Sequence, residues 1–281
     1  MINSYFPFKA TPEISSTYTI TAQNIGNQNC PTLILAFFSG AGANLGTTQV
    51  NATSGVENLP FEIATASGQP NVINSGRPPN LTTLGQTATI VTATIVAPGA
   101  TRAIPFVVRV PAGTVVPSGD YTANLTAAVY YPNGSNIKFG SSTTVAVTIH
   151  VSAEMSVNIA GGSSLATTLA FGNMIANDVR AVDIQARSNQ GFKFTATSDN
   201  GGVLKLDPNP GDGVNWQVPY TVKINNGAPL NLSTAQSVAI SSAATSLAGV
   251  NVPVQVTLGN PAGQRAGTYK DVITVKIEAN P

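Results

Sequence analysis

Residues able to do chemistry are few in this chain of 281 residues: one histidine, one cysteine and twelve Asp and Glu spread along its length. A Ser-His-Asp triad needs a histidine turned into a cleft, whereas His150 falls on the outward side of an alternating segment. Common zinc sites draw several ligands from Cys and His, more than His150 and Cys30 supply. The segment DPNPGDG (207–213) resembles a calcium loop, but Gly211 stands at a ligand position and Val218 where the bidentate Glu is required. GAGANLG (40–46) misses the GxGxxG spacing because Leu45 takes the place of the third glycine. No carboxylate pair is singled out by spacing for acid–base work. The expectation is a protein that is not an enzyme, with no catalytic residue, no metal and no cofactor.

Charge narrows the classes further. Thirteen Lys and Arg against twelve Asp and Glu leave a net +1, with no basic stripe to neutralise phosphates, so no nucleic-acid partner is expected. No run of about 20 apolar residues is present, so no membrane span is expected. Cys30 has no intrachain partner and reads as a small apolar core residue. Residues 1–15 lack the basic start and apolar stretch of a signal peptide, so the chain is either cytosolic or the mature form of an exported protein, and the Thr-, Ser-, Asn- and Gly-rich polar surface favours the second.

The elements that carry these residues are strands. Thr87–Val96 (TATIVTATIV) and Thr143–Val151 (TTVAVTIHV) alternate strictly and are rich in β-branched residues. In the second, Val145, Val147, Ile149 and Val151 share one face, and His150 lies on the other. Strands are expected near 16–24, 32–38, 60–64, 87–96, 104–110, 119–131 and 143–151, and again near 154–159, 168–171, 181–187, 191–198, 218–224, 252–258 and 267–278. YPNGSN (131–136) supplies a hairpin turn. The fold class is all-β: two immunoglobulin-like β-sandwiches, residues 1–152 and 153–281, with no long linker between them.

The two halves repeat each other. Residues 104–130 align without a gap on 252–278, matching Pro105 with Pro253, Val108 with Val256, Gly119 with Gly267, Tyr121 with Tyr269 and Thr126 with Thr274. In the first copy the strand bearing Tyr121, Leu125, Ala127 and Val129 is followed by Thr143–Val151 as its partner. In the second, Tyr269, Ile273, Val275 and Ile277 face one side, with Asp271 in the same register, and no further strand is read after them. The C-terminal sandwich is therefore expected to lack its final strand. An uncovered apolar edge invites aggregation, and a strand donated by another protein is the physical remedy.

The motifs LAFG (169–172), VPYTVKINNG (218–227), VPVQV (252–256) and AGTYKDVITVKI (266–277) carry a resemblance to the spore coat protein U domain family. That domain builds subunits of archaic, Csu-type chaperone–usher pili. The resemblance covers residues 153–281 and departs from the family in lacking its paired cysteines. It implies a pilin domain completed by a donor strand, with Tyr269, Ile273, Val275 and Ile277 lining the acceptor groove. With a complete domain ahead of it, the chain resembles a two-domain tip adhesin. The implied partners are a periplasmic chaperone and usher, an adjacent pilin subunit, and a hydrophobic abiotic surface or host receptor. The implied location is the periplasm in transit, then the cell surface at the pilus tip. The N-terminal segment, with Phe6 and Phe8, leaves a donor-strand role open.

Strand direction nominates contact residues. The loops after the second, fourth and sixth strands of the first sandwich are expected at the end away from Val151. They are 38–47, 97–104 and 131–137. Phe37, Phe38, Leu45, Ala97, Pro98, Ala100, Ala103, Ile104, Tyr131 and Pro132 would there form a nonpolar patch with Arg102 as its one charge. A structural shaft or coat subunit without target binding, and a lectin-like module using Asn, Thr and Tyr, are the competing readings.

Overall fold

The computed structural model describes residues 2–8, 13–14, 17–40, 50–65, 71–74, 89–92, 95–208 and 213–280. The chain is all-β and forms two compact units, Met1–Ser152 and Ala153–Pro281.

Unit 1 contains β1 (Ile2–Tyr5), β2 (Glu13–Ile14), β3 (Tyr18–Gln23), β4 (Leu33–Phe38), β5 (Val50–Ser54), β6 (Glu57–Thr65), β7 (Ile73–Asn74), β8 (Ile90–Thr92), β9 (Thr101–Val110), β10 (Gly119–Asn133) and β11 (Asn136–Val151). A two-residue turn with Gly134 at φ 64° joins β10 to β11, which stay paired from Asn133↔Asn136 down to Gly119↔Val151. The other edge of β10 is shared. It carries β5 at Thr122↔Thr53 and then β4 from Thr126↔Phe38 to Tyr130↔Ile34. From β5 the ladder continues through β6 and β9 to β3, all antiparallel. The N-terminal strand β1 lies parallel to β11, pairing Ile2 with Ile149 and Tyr5 with Val151, and the Tyr5 hydroxyl donates to Thr114 O at 2.7 Å. Ile2 and Tyr5 are buried in the unit's own core, so these residues serve their own sandwich here.

Unit 2 contains β12 (Met155–Ile159), β13 (Val179–Ser188), β14 (Phe192–Ser198), β15 (Val203–Asp207), β16 (Gln217–Ile224), β17 (Gln236–Ser241), β18 (Val250–Leu258), β19 (Thr268–Lys270) and β20 (Ile273–Ala279). Its ladders reproduce those of unit 1. The β3–β9 pair returns as β13–β18, with Ile20↔Ile104 matched by Ile184↔Val252. The β5–β6 hairpin returns as β15–β16. The shared edge of β10 returns as β19 on β15 (Lys270↔Lys205) and β20 on β14 (Val275↔Ala196). β8 on β4 returns as β17 on β14.

Core positions keep the same phase. Ile104, Phe106, Val108 and Val110 on β9 are buried, and so are their counterparts Val252, Val254, Val256 and Leu258 on β18. Alternation puts every second residue of a strand on the inner face, which is why the gapless repeat survives as a packing repeat.

Four strand readings are corrected. β1, β2, β5, β7, β15 and β17 escape the sequence pattern: β1, β2 and β7 are four residues or fewer, and VNATS, VLKLD and QSVAIS are short and largely polar or charged on one face. No strand forms at 168–171; Leu169 and Phe171 pack against the core by their side chains alone. The expected strand at 267–278 is interrupted, so that Thr268–Lys270 and Ile273–Ala279 join different sheets. The hairpin strand begins at Asn136, well before Thr143. Part of the expected strand 87–96 lies outside the described residues.

Candidate functional site

Every strand along the β10 ladder has a counterpart in unit 2 except β11. Among the described residues β19 pairs only with β15, and β20 only with β14. The edge that β11 covers in unit 1 is therefore bare in unit 2. A bare edge presents backbone N–H and C=O groups to whatever strand can reach them.

Side chains register the same difference. Tyr121, Leu125 and Ala127 under β11 are 1%, 2% and 2% exposed. Their counterparts Tyr269, Ile273 and Val275 are all half-buried, as is Ile277, although each packs against the unit 2 core. Alternating apolar residues that reach a core but are not closed over make an open apolar edge. β12 borders that edge. Met155 pairs with Ser188 and Ala279 with Phe192, on either flank of the 189–191 turn, so β12 starts beside the end of β20. Met155 and Val157 are half-buried against the same core. These two were missed in the sequence, where the alternation of MSVNI was their signal.

Local chemistry fixes where the edge strand begins. The Tyr269 hydroxyl donates to Arg265 O at 2.8 Å, as the Tyr121 hydroxyl donates to Pro117 O at 2.9 Å. Both are tyrosine corners, four residues back along the chain, and Gly119 and Gly267 precede them at φ 150° and 156°. At the break between β19 and β20, the Asp271 carboxylate accepts four hydrogen bonds. The Tyr220 and Ser198 hydroxyls donate to Oδ2; the N–H groups of Asn200 and Val272 donate to Oδ1 at 3.1 and 2.8 Å. Burial, reinforced by the Asp271 contact, raises the Tyr220 phenol well above its ordinary value.

The contact residues expected in unit 1 divide. β10, β6 and β3 run one way, and β9, β5, β4 and β11 the other, so residues 97–100 lie at the same end as the 134–135 turn. Ala97, Pro98, Ala100, Ala103 and Tyr131 are exposed there, and Pro132 is half-buried. Residues 24–28 join this end, bonded through Asn24 N to Ala100 O and Gly99 N to Asn24 O. Ile25 on that segment is 91% exposed, and the sequence reading passed over it.

Three other nominations fail on burial or direction. Phe37 and Phe38 are 0% exposed, because LILAFF is a strand covered on both faces. Phe38 also ends a strand that runs away from the hairpin tip, opposite Thr126 in mid-β10. Ile104 points into the core of unit 1. Leu45 lies outside the described residues.

His150 and Cys30 both belong to unit 1. His150 and Asp120 are cross-strand neighbours on the solvent face, with Nδ1 and Oδ1 2.7 Å apart. Cys30 is half-buried against the core, its Sγ donating to Thr32 O at 3.2 Å. Among the described residues no group of three or more His, Cys, Asp or Glu is placed to hold a metal ion. No helix among them is long and apolar enough to cross a membrane.

No protein-family model matches the chain, and no curated protein matches it. Solved structures do. One is the CsuC–CsuE chaperone–tip adhesion subunit pre-assembly complex of archaic chaperone-usher Csu pili from Acinetobacter baumannii. The match has a TM-score of 0.49 at 15% identity and covers 99% of this chain and 97% of that one. Another is CfaE, the adhesive subunit of CFA/I fimbria of enterotoxigenic Escherichia coli, with a TM-score of 0.41, 12% identity, and 99% and 91% coverage. A chaperone–tip adhesin complex of CFA/I fimbriae biogenesis gives 0.42, 12%, and 100% and 95%.

Proposed function

We propose that this chain is a pilus tip adhesin of the chaperone–usher type, in which unit 1 contacts the target and unit 2 anchors it. Unit 2 (residues 153–281) is the pilin domain, completed by a strand from another polypeptide lying along Tyr269–Ile277. Unit 1 (residues 1–152) attaches to surfaces and supports biofilm formation through the end bearing Ile25, Ala97, Pro98, Ala100 and Tyr131. A periplasmic chaperone holds the groove first, the usher passes the chain outward, and an adjacent pilin subunit then takes the chaperone's place.

One observation carries this reading. Among the described residues β11, the strand that closes unit 1, has no counterpart in unit 2, although the ladders of β10 with β4 and β5 are both duplicated. Main-chain pairing supplies affinity in such strand addition, and alternate side chains entering the groove supply selectivity. Contact at the tip rests on burying apolar loop area, worth about 25 cal/mol per Å² before ordering costs, and many weak attachments sum by multivalency.

Co-production with a periplasmic chaperone tests the anchoring half. The chain is expected to be recovered as a one-to-one complex with the chaperone and to self-associate without it. A stable, soluble monomer produced alone overturns it. Attachment to polystyrene by piliated cells carrying Ala100→Asp with Pro98→Asp tests the adhesive half; unchanged attachment with normal piliation points to a shaft subunit.

A further inference from the structure

In unit 1 the strand β10 passes from the edge of β5 to the edge of β4 without interruption, because β11 pairs with it across that point, Ala123 opposite Val147. The residue of unit 2 aligned with Ala123 is Asp271. There the ladder breaks between β19 and β20, and the carboxylate fills the gap with four accepted hydrogen bonds. Its partners come from both sheets: Tyr220 is on β16, while Ser198 ends β14. The Ser198 hydroxyl also accepts from the N–H groups of Gly202 at 2.7 Å and Asn200 at 3.2 Å, so it is itself held in place. The Asn200 side chain donates to Lys270 O at 3.1 Å, pinning the last residue of β19.

We infer that Asp271 is the positioning residue of the groove: it holds β19 and β20 in the places a closing strand would otherwise impose, so the acceptor edge is preset before any strand arrives. An ionised carboxylate accepting several hydrogen bonds makes a strong, directional tie. Tyr220 is almost wholly buried, so without Asp271 its hydroxyl would lose its carboxylate acceptor in the core and keep only its contact with Ser198. Unit 1, which has its closing strand, uses alanine at the same position and packs it against the core. The clamp is thus confined to the unit that must wait. This inference deepens the strand-acceptor reading above, and one of its two readouts is independent of that reading.

The test is amide hydrogen exchange on the full chain, comparing Asp271→Ala with the unsubstituted protein. Exchange at Ile273–Ile277 is expected to rise at least tenfold in the variant, while Val252–Leu258 on β18 keep their protection. Ser198→Ala, which removes one donor, is expected to give the same pattern at smaller amplitude and serves if Asp271→Ala does not fold. A second readout is the association rate of a β-strand peptide, expected to fall at least tenfold with dissociation little changed. Unchanged exchange along β20 overturns the inference. So does equal loss of protection in β18 and β20, which would make Asp271 a general support of the unit. Raised β20 exchange without peptide binding to either protein would sustain the clamp and sink the acceptor reading.

Discussion

A free peptide with the sequence of Thr143–Val151 should bind unit 2, because the duplicated ladders make the chain's own closing strand a template for the missing one. In unit 1, Tyr121 pairs with Ile149, Ala123 with Val147, Leu125 with Val145 and Ala127 with Thr143. Transferred to unit 2, the peptide runs antiparallel to β20 with Ile149 opposite Tyr269 and Val145 opposite Ile273. Val147, Ile149 and Val151 are 3%, 0% and 1% exposed in their native place. Burying three such side chains is worth roughly 7 kcal/mol. The ladder hydrogen bonds add about 8 kcal/mol at about 1 kcal/mol each, and association and ordering cost about 8 kcal/mol. The net of about −7 kcal/mol corresponds to a Kd of about 10 μM. At about 1 mM peptide the chain gains about 2.7 kcal/mol, a rise in Tm of roughly 8–15 °C for a unit of this size. Scanning calorimetry reads this directly. The same peptide carrying Val147→Asp places a charge in the groove and should bind at least thirtyfold more weakly. Equal effects of the two peptides, or no shift at about 1 mM, would refute the template argument.

Further outcomes follow from the same geometry. Val275→Asp should leave β13, β16 and β18 folded, since its side chain is only half-buried, yet abolish capture by the chaperone in a pull-down. Ile25→Asp should reduce attachment to hydrophobic plastic while shifting stability by less than about 0.5 kcal/mol, because an exposed side chain carries little of the fold; a large drop in Tm would show that Ile25 is structural. Tyr121→Phe and Tyr269→Phe each remove one corner hydrogen bond and should each cost about 1 kcal/mol in denaturant titrations. Burial pushes the Tyr130 phenol up from 10.0 to about 12, and its hydroxyl has no hydrogen-bond partner among the described residues. The folded state holds that proton more tightly than the unfolded chain. Its contribution is full below pH about 10 and is lost between about 10 and about 12, at about 1.4 kcal/mol per pH unit. Tyr130→Phe should flatten that loss, followed by tyrosinate absorbance and circular dichroism.

The repeat was legible in sequence because its signals are local. Gly and Tyr two residues apart define the corner, and alternation places Val252, Val254, Val256 and Leu258 on one face without knowledge of the rest. The bare edge followed from comparing two copies. What could not be read was whatever depends on distant neighbours. LILAFF reads as the root of a contact loop because one strand gives no sign that both its faces are covered. Ile25 gives no sequence signal because a lone apolar residue among Asn and Gly carries no period, and only the bonds from Asn24 to the 97–100 turn place it at that end of unit 1. Asp271 was seen in register with the groove residues, but its partners on β14 and β16 lie tens of residues away in the chain.

The two-residue turn between β10 and β11 has a kinetic consequence. In unit 1 the closing strand is tethered to its site through Gly134 and Ser135, so loop-closure entropy is minimal and closure is first order, independent of dilution. If unit 2 is closed by a separate polypeptide, as proposed above, its completion is a second-order event whose rate scales with the concentration of the incoming strand. The effective concentration that a short turn provides, in the millimolar range, must be replaced by an encounter. On that proposal, two halves with one topology mature on different clocks: one set by its own chain, the other by the supply of a neighbour.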